Sequence, residues 1–433
     1  VQDRQKFPNG AIRAIGGALA RYLIFEPSGG DSPNCEAETS KIQLMGNSWL
    51  RNFDVAKVLI HWYNQFTMEI KIVKTKKDFK KFLLLPWKIY KGNPNWVPPL
   101  LMGLKSVLSV KKNPFWQHAC REFFIAVDDK GETIGRIAGI WDENHNKVYN
   151  EKMGFFGYFE SINDQTVANA LFDAAHNWCK QQGMEHFRGP VNPNLNEECG
   201  LLVDGFDSPP VGMMTYNPPY YIDLYEKYGL KKLMNLLAFY KAKGVSERLQ
   251  KLCDWANRHK RFKIRTMDMK HFKRDVGIIR DMYNKAWEKN WGFVPMTDAE
   301  MDLMAKKLKP ICIPELVTFA ETEGKIVGMG VSIPNYNEVL IHLNGRLTPW
   351  GILKFLWYKR KIKGVRALIY GVLPEYQQSG LAALLYRVTE DNAAKLGVEW
   401  CELSWELETN KAVNAFIDGI GGKLYKTYRL YQI

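Results

Sequence analysis

The sequence contains no Cys-x-x-Cys pair; its seven cysteines, Cys35, Cys120, Cys179, Cys199, Cys253, Cys312 and Cys401, are scattered. That spacing excludes a zinc ribbon and a disulfide framework, and it suits reduced thiols in a cytoplasm. The eight histidines show no His-x-x-x-His pairing, so no metal is expected. No window reaches 18 consecutive apolar residues, which leaves no candidate for a transmembrane helix. Zinc-finger spacing and RNP-like aromatic motifs are missing too, which argues against nucleic acid as a partner. That absence narrows the meaning of the charge. The chain carries 60 Lys and Arg against 46 Asp and Glu, a net charge of +14. An anionic membrane surface or an anionic cofactor remains to account for it.

A chain of 433 residues, 46% hydrophobic and 24% charged, is globular and long enough for two or three domains. Residues 1–67 begin at Val1, mix Gly, Ser and Pro clusters (Pro27 to Pro33) and hold no sustained period. Gly10 to Phe25 lacks the layout of a signal peptide. The segment reads as a poorly structured N-terminal extension upstream of a natural start at Met68. From Met68 the text says one thing twice. Ile70 to Thr75, with a helix near Asp78, is echoed by Phe262 to Met267, with a helix near His271. Asn95 to Pro99 is echoed by Asn290 to Pro295, and the hairpin from Phe123 to Gly139 by one from Leu316 to Val331. Gly229 and Gly421 close the two copies at a similar offset. These echoes imply a duplicated α/β unit, residues 68–244 and 245–433, with a linking helix from Val245 to Lys260.

One stretch of the second copy, Ala367 to Gly397, carries the chemistry. An apolar run suits a buried strand, the turn Pro374 to Gly380 follows, and a helix then places Leu381, Leu384, Leu385 and Val388 on one side. Strand, glycine turn and helix together aim free N–H groups at phosphate. Gln377-x-x-Gly380-x-Ala382 matches a Q/R-x-x-G-x-G/A signature. The first copy reads Phe159 to Ala168 at that place, without glycine, and with Glu160 and Asp164 set to repel phosphate. Further motifs recur in order: Asn93 to Pro99, Gly154 to Glu160, Arg188 to Asn194, Cys199 to Asp207, Met213 to Tyr221, and Ser404-Trp-x-Leu-Glu-x-Asn410. Across residues 68–433 the chain resembles the GNAT acyltransferase superfamily, in its bacterial ceramide synthase-like branch.

The resemblance implies a tandem GNAT-like α/β (α+β) fold with mixed central sheets flanked by helices, and acyl-CoA as co-substrate in a cleft between splayed strands. It places the cofactor in the second copy, at Gln377, Gln378, Ser379, Gly380, Leu381, Ala382 and Ala383, with Asn410 beyond. The first copy is left as scaffold or acceptor side. The implied reaction is N-acylation of a long-chain (sphingoid) base. A short-chain N-acetyltransferase acting on a soluble amine stays open, as does a non-catalytic CoA- or lipid-binding protein.

An ammonium acceptor must lose a proton before attack. The N–H groups of Gly371 and Val372 are candidates to hold the oxyanion. The strand Val365 to Leu373 offers no carboxylate, so the base is expected on the next one. Alternation there puts Glu402, Ser404 and Glu406 on one face, with Glu408 at the end. Glu408 is the first choice of base and Glu406 the second. Ile417 stands where the family has a general-acid tyrosine, and Tyr428 is the substitute from the last strand. Asn192, Asn194, Asn196, Tyr220 and Tyr221 are the candidate acceptor contacts. Trp350 to Arg366 interleaves large apolar residues with Lys and Arg, which suits peripheral contact with an anionic membrane at the cytoplasmic face.

Overall fold

Residues 68–259, 262–288 and 290–433 are described by the computed structural model; the expectation for residues 1–67 lies outside them. The first repeat supplies β1 (Glu69–Ile72), α1 (Lys76–Ile89), α2 (Leu101–Val107), β2 (Ala119–Val127), β3 (Thr133–Asp142), α3 (Glu143–Tyr149) and β4 (Met153–Ser161). Next come α4 (Gln165–Gln181), β5 (His186–Gly189), β6 (Val191–Asn192), β7 (Glu198–Cys199), β8 (Leu201–Asp204), α5 (Tyr221–Tyr228) and β9 (Lys231–Ala242). After α6 (Glu247–His259) the order returns: β10 (Lys263–Thr266), α7 (Phe272–Trp287), α8 (Asp298–Leu308), β11 (Val317–Thr322) and β12 (Lys325–Pro334). The chain ends with α9 (Asn337–Leu340), α10 (Pro349–Lys359), β13 (Gly364–Val372), α11 (Leu381–Lys395), β14 (Trp400–Leu407), α12 (Lys411–Gly419) and β15 (Lys423–Gln432).

Caps and periodicity explain the helices locally. Thr75 accepts from Asp78 N to start α1, and Thr297 with Glu300 forms a capping box on α8. Along α4, Val167, Ala168, Leu171, Phe172, Ala175 and Cys179 recur at helical spacing and are buried against the sheet.

One sheet serves both repeats. Its order is β1-β2-β3-β4-β5-β15-β9-β14-β13-β12-β11-β10, which reads alike from either edge. Among the described residues only β4–β5 and β13–β14 pair in parallel. The last strand of each repeat has crossed to the other: β15 pairs with β5, β9 pairs with β14, and β9 and β15 pair down the middle. Neither repeat can satisfy its own sheet without its neighbour's strand. A buried ion cluster adds to the join. His118 stands 2.8 Å from Asp142 Oδ1 and 3.4 Å from Glu300 Oε2 of the second repeat. Burial disfavours its charge, but the two carboxylates prevail and raise it to about 9.

Candidate active site

In the second repeat, β13 and β14 are in register from Gly364 opposite Trp400 to Ala367 opposite Leu403. Pairing stops there, although β13 runs on to Val372 and β14 to Leu407. The first repeat parts in the same way: β4 and β5 separate after Phe155 opposite Arg188. The two gaps are filled differently. In the first, the chain's own backbone enters, so that a Cβ added to Gly157 would lie 1.7 Å from Val191 O. Asn192 Oδ1 accepts from Tyr158 N at 2.7 Å, which uses the strand N–H there. In the second, a cavity of about 190 Å3 lies at the parting strands, lined by Leu368, Ile369, Ser404, Trp405, Leu407 and Trp287 among others. Leu373 N donates to Val327 O, so alternation turns the N–H of Val372 toward the gap and that of Gly371 toward β12. The Trp287 ring also covers Gly371, 2.6 Å from where a Cβ would stand.

The helix starts differ in the same sense. Asp164 caps α4, its Oδ1 accepting from Thr166 N and Val167 N. No side chain caps α11, and among the described residues the N–H groups of Gly380, Leu381, Ala382 and Ala383 have no acceptor. Several such groups at a helix start form an anion site. Gln377 and Gln378 are exposed beside them, and Ser379 is buried with Oγ donating to Tyr376 O. Gly380 has a φ of +73°, which favours glycine. A Cβ there would also meet Ala256 Cβ of α6 at 2.9 Å, so close helix packing is a further demand for the small residue. Asn410 caps α12, its Oδ1 accepting from Val413 N.

The three residues expected to do proton chemistry are placed elsewhere. Glu408 accepts from Lys232 Nζ at 2.8 Å and from Asn235 N at 2.9 Å. Those partners hold it below the usual carboxylate range against a desolvation that acts the other way, and it lines neither cavity of the site. One extra residue on β14 between Leu403 and Glu406 breaks the alternation: Glu402 lies opposite Tyr240 and Glu406 opposite Leu237. Glu402 and Glu406 therefore face opposite sides of the sheet, contrary to the strand pattern. Tyr428 is fully buried, and its hydroxyl has no partner among the described residues. Burial raises the Glu406 carboxyl to about 7. Glu406→Gln is expected to stabilise the protein by about 1–2 kcal/mol at pH 8 after discounting for partial exposure. The sign follows from linkage. The folded group, at about 7, holds its proton more tightly than the unfolded one, at 4.5, so stability falls as pH rises between them. Urea titrations at pH 4 and pH 8 should show the gain only at the higher pH.

Of the expected acceptor contacts, Tyr220 donates to Ser161 O and Tyr221 to Glu160 Oε2 at 2.8 Å. Asn194 accepts from Asn196 N and Glu197 N in its own turn, and Asn196 donates to Val294 O. Asn192 and Tyr221 do line a second, larger cavity of about 430 Å3 between the repeats. It adjoins the first, because Glu197 and Met213 line both. The sequence reading passed over three residues on its wall: Glu197, Glu198 and Tyr158. Two adjacent acids after an Asn/Pro turn were their only signal. Arg366, expected as the last cation of the membrane-contacting segment, is instead buried on β13 behind the smaller cavity, donating to the carbonyls of Gly212 at 2.9 Å and Met213 at 3.1 Å. Glu402 is buried beside it, accepting from Ser404 Oγ at 2.5 Å and from Tyr425 Oη. Burial raises that carboxyl to about 7, with Arg366 opposing.

The basic-aromatic segment forms α10, with Thr348 as its cap. Trp350, Leu353 and Trp357 are 76%, 58% and 60% exposed. The inner side of the helix, Phe355 and Tyr358, packs with Leu100, Tyr336 and Leu340. Among the described residues no helix is long and apolar enough to cross a membrane.

Comparison with known proteins agrees with this architecture. No family model matches the chain. Protein YghO of Escherichia coli is 37% identical over 367 residues, covering 82% of this chain and 93% of that one. A Caulobacter vibrioides protein named bacterial ceramide synthase is 36% identical over 374 residues, covering 83% and 96%. Among solved structures, a tandem GNAT protein from the clavulanic acid biosynthesis pathway superposes with a TM-score of 0.50 at 9% identity, over 84% of this chain and 98% of that one. A GCN5-related glucosamine N-acetyltransferase region of a fungal β-N-acetylglucosaminidase gives 0.51 at 12%, over 85% of this chain and 38% of that one. With two exchanged repeats, parting strands and relatives above one-third identity along most of its length, the chain belongs to the bacterial ceramide synthase-like branch of the GNAT superfamily, a family of acyltransferases.

Proposed function

We propose that the protein transfers a fatty acyl group from acyl-CoA to the amine of a long-chain base, using the second repeat for the thioester. The observation that carries this reading is the contrast between repeats. The uncapped amides from Gly380 to Ala383 and the gap beyond Ala367 suit a diphosphate and an extended thioester arm. Asp164 and Val191 fill the same places in the first repeat. Val372 N–H polarises the thioester carbonyl from the gap. The amine nitrogen bonds to that carbon, the C–S bond breaks, the sulfur leaves with the electron pair and takes up a proton, and an amide remains.

The exposed apolar face of α10, bordered by Lys354, Lys359, Arg360, Lys361 and Lys363, docks on an anionic bilayer, where both lipid substrates reside. Each cation near such a surface contributes about 1 kcal/mol. The reading is tested by incubating the protein with acyl-CoAs of several lengths and an amine panel, on anionic and on neutral vesicles, with amides read by mass spectrometry. Long-chain amides formed faster on anionic vesicles are expected. Selectivity for acetyl-CoA and soluble amines would favour a short-chain acetyltransferase, and no CoA release with any amine would refute the enzyme.

A further inference from the structure

The cavity of about 430 Å3 has the size of a small-molecule site and holds an unusual set of unsatisfied groups. Glu197 and Glu198 both line it, and among the described residues neither carboxylate makes a hydrogen bond or an ion pair. Tyr158 lines it too, only 7% exposed, and its hydroxyl has no partner among the described residues. The three belong to one neighbourhood. Burial, and then the charges of Glu197 and Glu198, push the Tyr158 phenol well above its usual range. Burial, then Glu197, raises Glu198 to about 7, while Arg366 pulls the other way. Tyr158 is buried and the two acids are half-buried, and polar groups left without partners in a roomy site suit a ligand that supplies them. Two carboxylates call for a cation, and a phenol for a hydroxyl or carbonyl close to it.

Part of the remaining wall is apolar, although Arg136, Glu160, Asn192, Thr215, Asn217 and Asn337 also line it. Leu100, Leu104, Val107, Ile311 and Leu340 line it. Leu100 and Leu340 also pack under Phe355 and Tyr358 of α10, so the far end of the cavity lies beneath the helix whose outer face is bare. The near end adjoins the smaller cavity at Glu197 and Met213, where β13 and β14 part.

We infer that this cavity is the acceptor site: it takes a long-chain amine with a hydroxyl on the carbon adjacent to the one that bears nitrogen, head at Glu197, Glu198 and Tyr158, tail under α10. The inference rests on the acyl-transfer reading above and assigns its acceptor end. The two acids share a site, and the charge of Glu197 acts on Glu198. As a carboxylate pair they hold the ammonium and take one proton from it. The neutral nitrogen then attacks the thioester carbon across the junction, and the second N–H proton passes to the departing sulfur.

The test uses the full chain with a long-chain acyl-CoA and a long-chain 2-amino alcohol. Glu197→Gln with Glu198→Gln is expected to lower kcat/KM for the amine by roughly 100-fold or more, the usual share of a positioned base. Binding of acyl-CoA, measured calorimetrically, should be unchanged, and the acid limb of the pH–rate profile should disappear. Tyr158→Phe should erase the preference for the amino alcohol over a plain alkylamine. Leu340→Trp should shorten the amine accepted and leave the acyl length alone. Wild-type activity with all three variants unaffected would overturn the acceptor site, as would a shift in acyl length instead of amine length. An inactive wild type would instead refute the transferase reading itself.

Discussion

Ala382→Asp should leave the protein folded and deprive it of its acyl donor. The side chain would stand in the first turn of α11, beside N–H groups with no acceptor, much as Asp164 stands beside those of α4. A carboxylate in a first turn stabilises a helix by about 0.3–1 kcal/mol, so the melting temperature should hold or rise slightly. A diphosphate brought against the new charge meets repulsion of about 2–4 kcal/mol at partly screened distances. Calorimetric affinity for acyl-CoA should therefore fall by at least roughly 30-fold, and kcat/KM for the donor with it. Ala382→Asn, with the same shape and no charge, should keep most of the affinity. Unchanged donor binding in the aspartate variant would place the nucleotide elsewhere on the second repeat.

Arg366→Met is expected to destabilise by about 3–5 kcal/mol, the largest loss foreseen for a single residue here. Arg366 is 2% exposed, and its guanidinium fastens the Gly212–Met213 loop of the first repeat to the strands of the second. Methionine fills much of the volume but leaves those carbonyls without a donor. Glu402 then loses the cation that opposes its protonation and stays neutral to higher pH. Urea denaturation should show a lower midpoint, and Arg366→Lys should recover only part of it, because an ammonium cannot reproduce the fork. A midpoint within experimental error of wild type would mean that the loop is held by packing alone.

How much was legible beforehand depended on how local each cause was. The strand, glycine turn and helix from Ala367 to Gly397 is a local pattern and folds as read. The bare face of α10 is legible too, since Trp350, Leu353 and Trp357 already stand apart from Phe355 and Tyr358 in the periodicity. The glycine at 380 was legible as a need for close approach, but its neighbour, Ala256, lies more than a hundred residues away in the chain. The proton chemistry was not legible. A single bulge on β14 turns Glu406 away from Glu402, and no residue type announces such a bulge. Glu408 looked free at a strand end, yet Lys232 and Asn235 of the exchanged strand hold it.

By itself the amino-acid order determined the duplicated α/β plan, the phosphate-type turn in one copy alone and the amphipathic cationic helix. Each follows from spacing, caps and glycines within a few residues of one another. Only the tertiary structure decided that β9 and β15 trade places, that Val191 stops the first gap, and that Tyr158, Glu197 and Glu198 line one cavity. Those outcomes are contacts between distant segments. They are selected by which surfaces close on each other, and the alternation of any one strand fits several partners equally well.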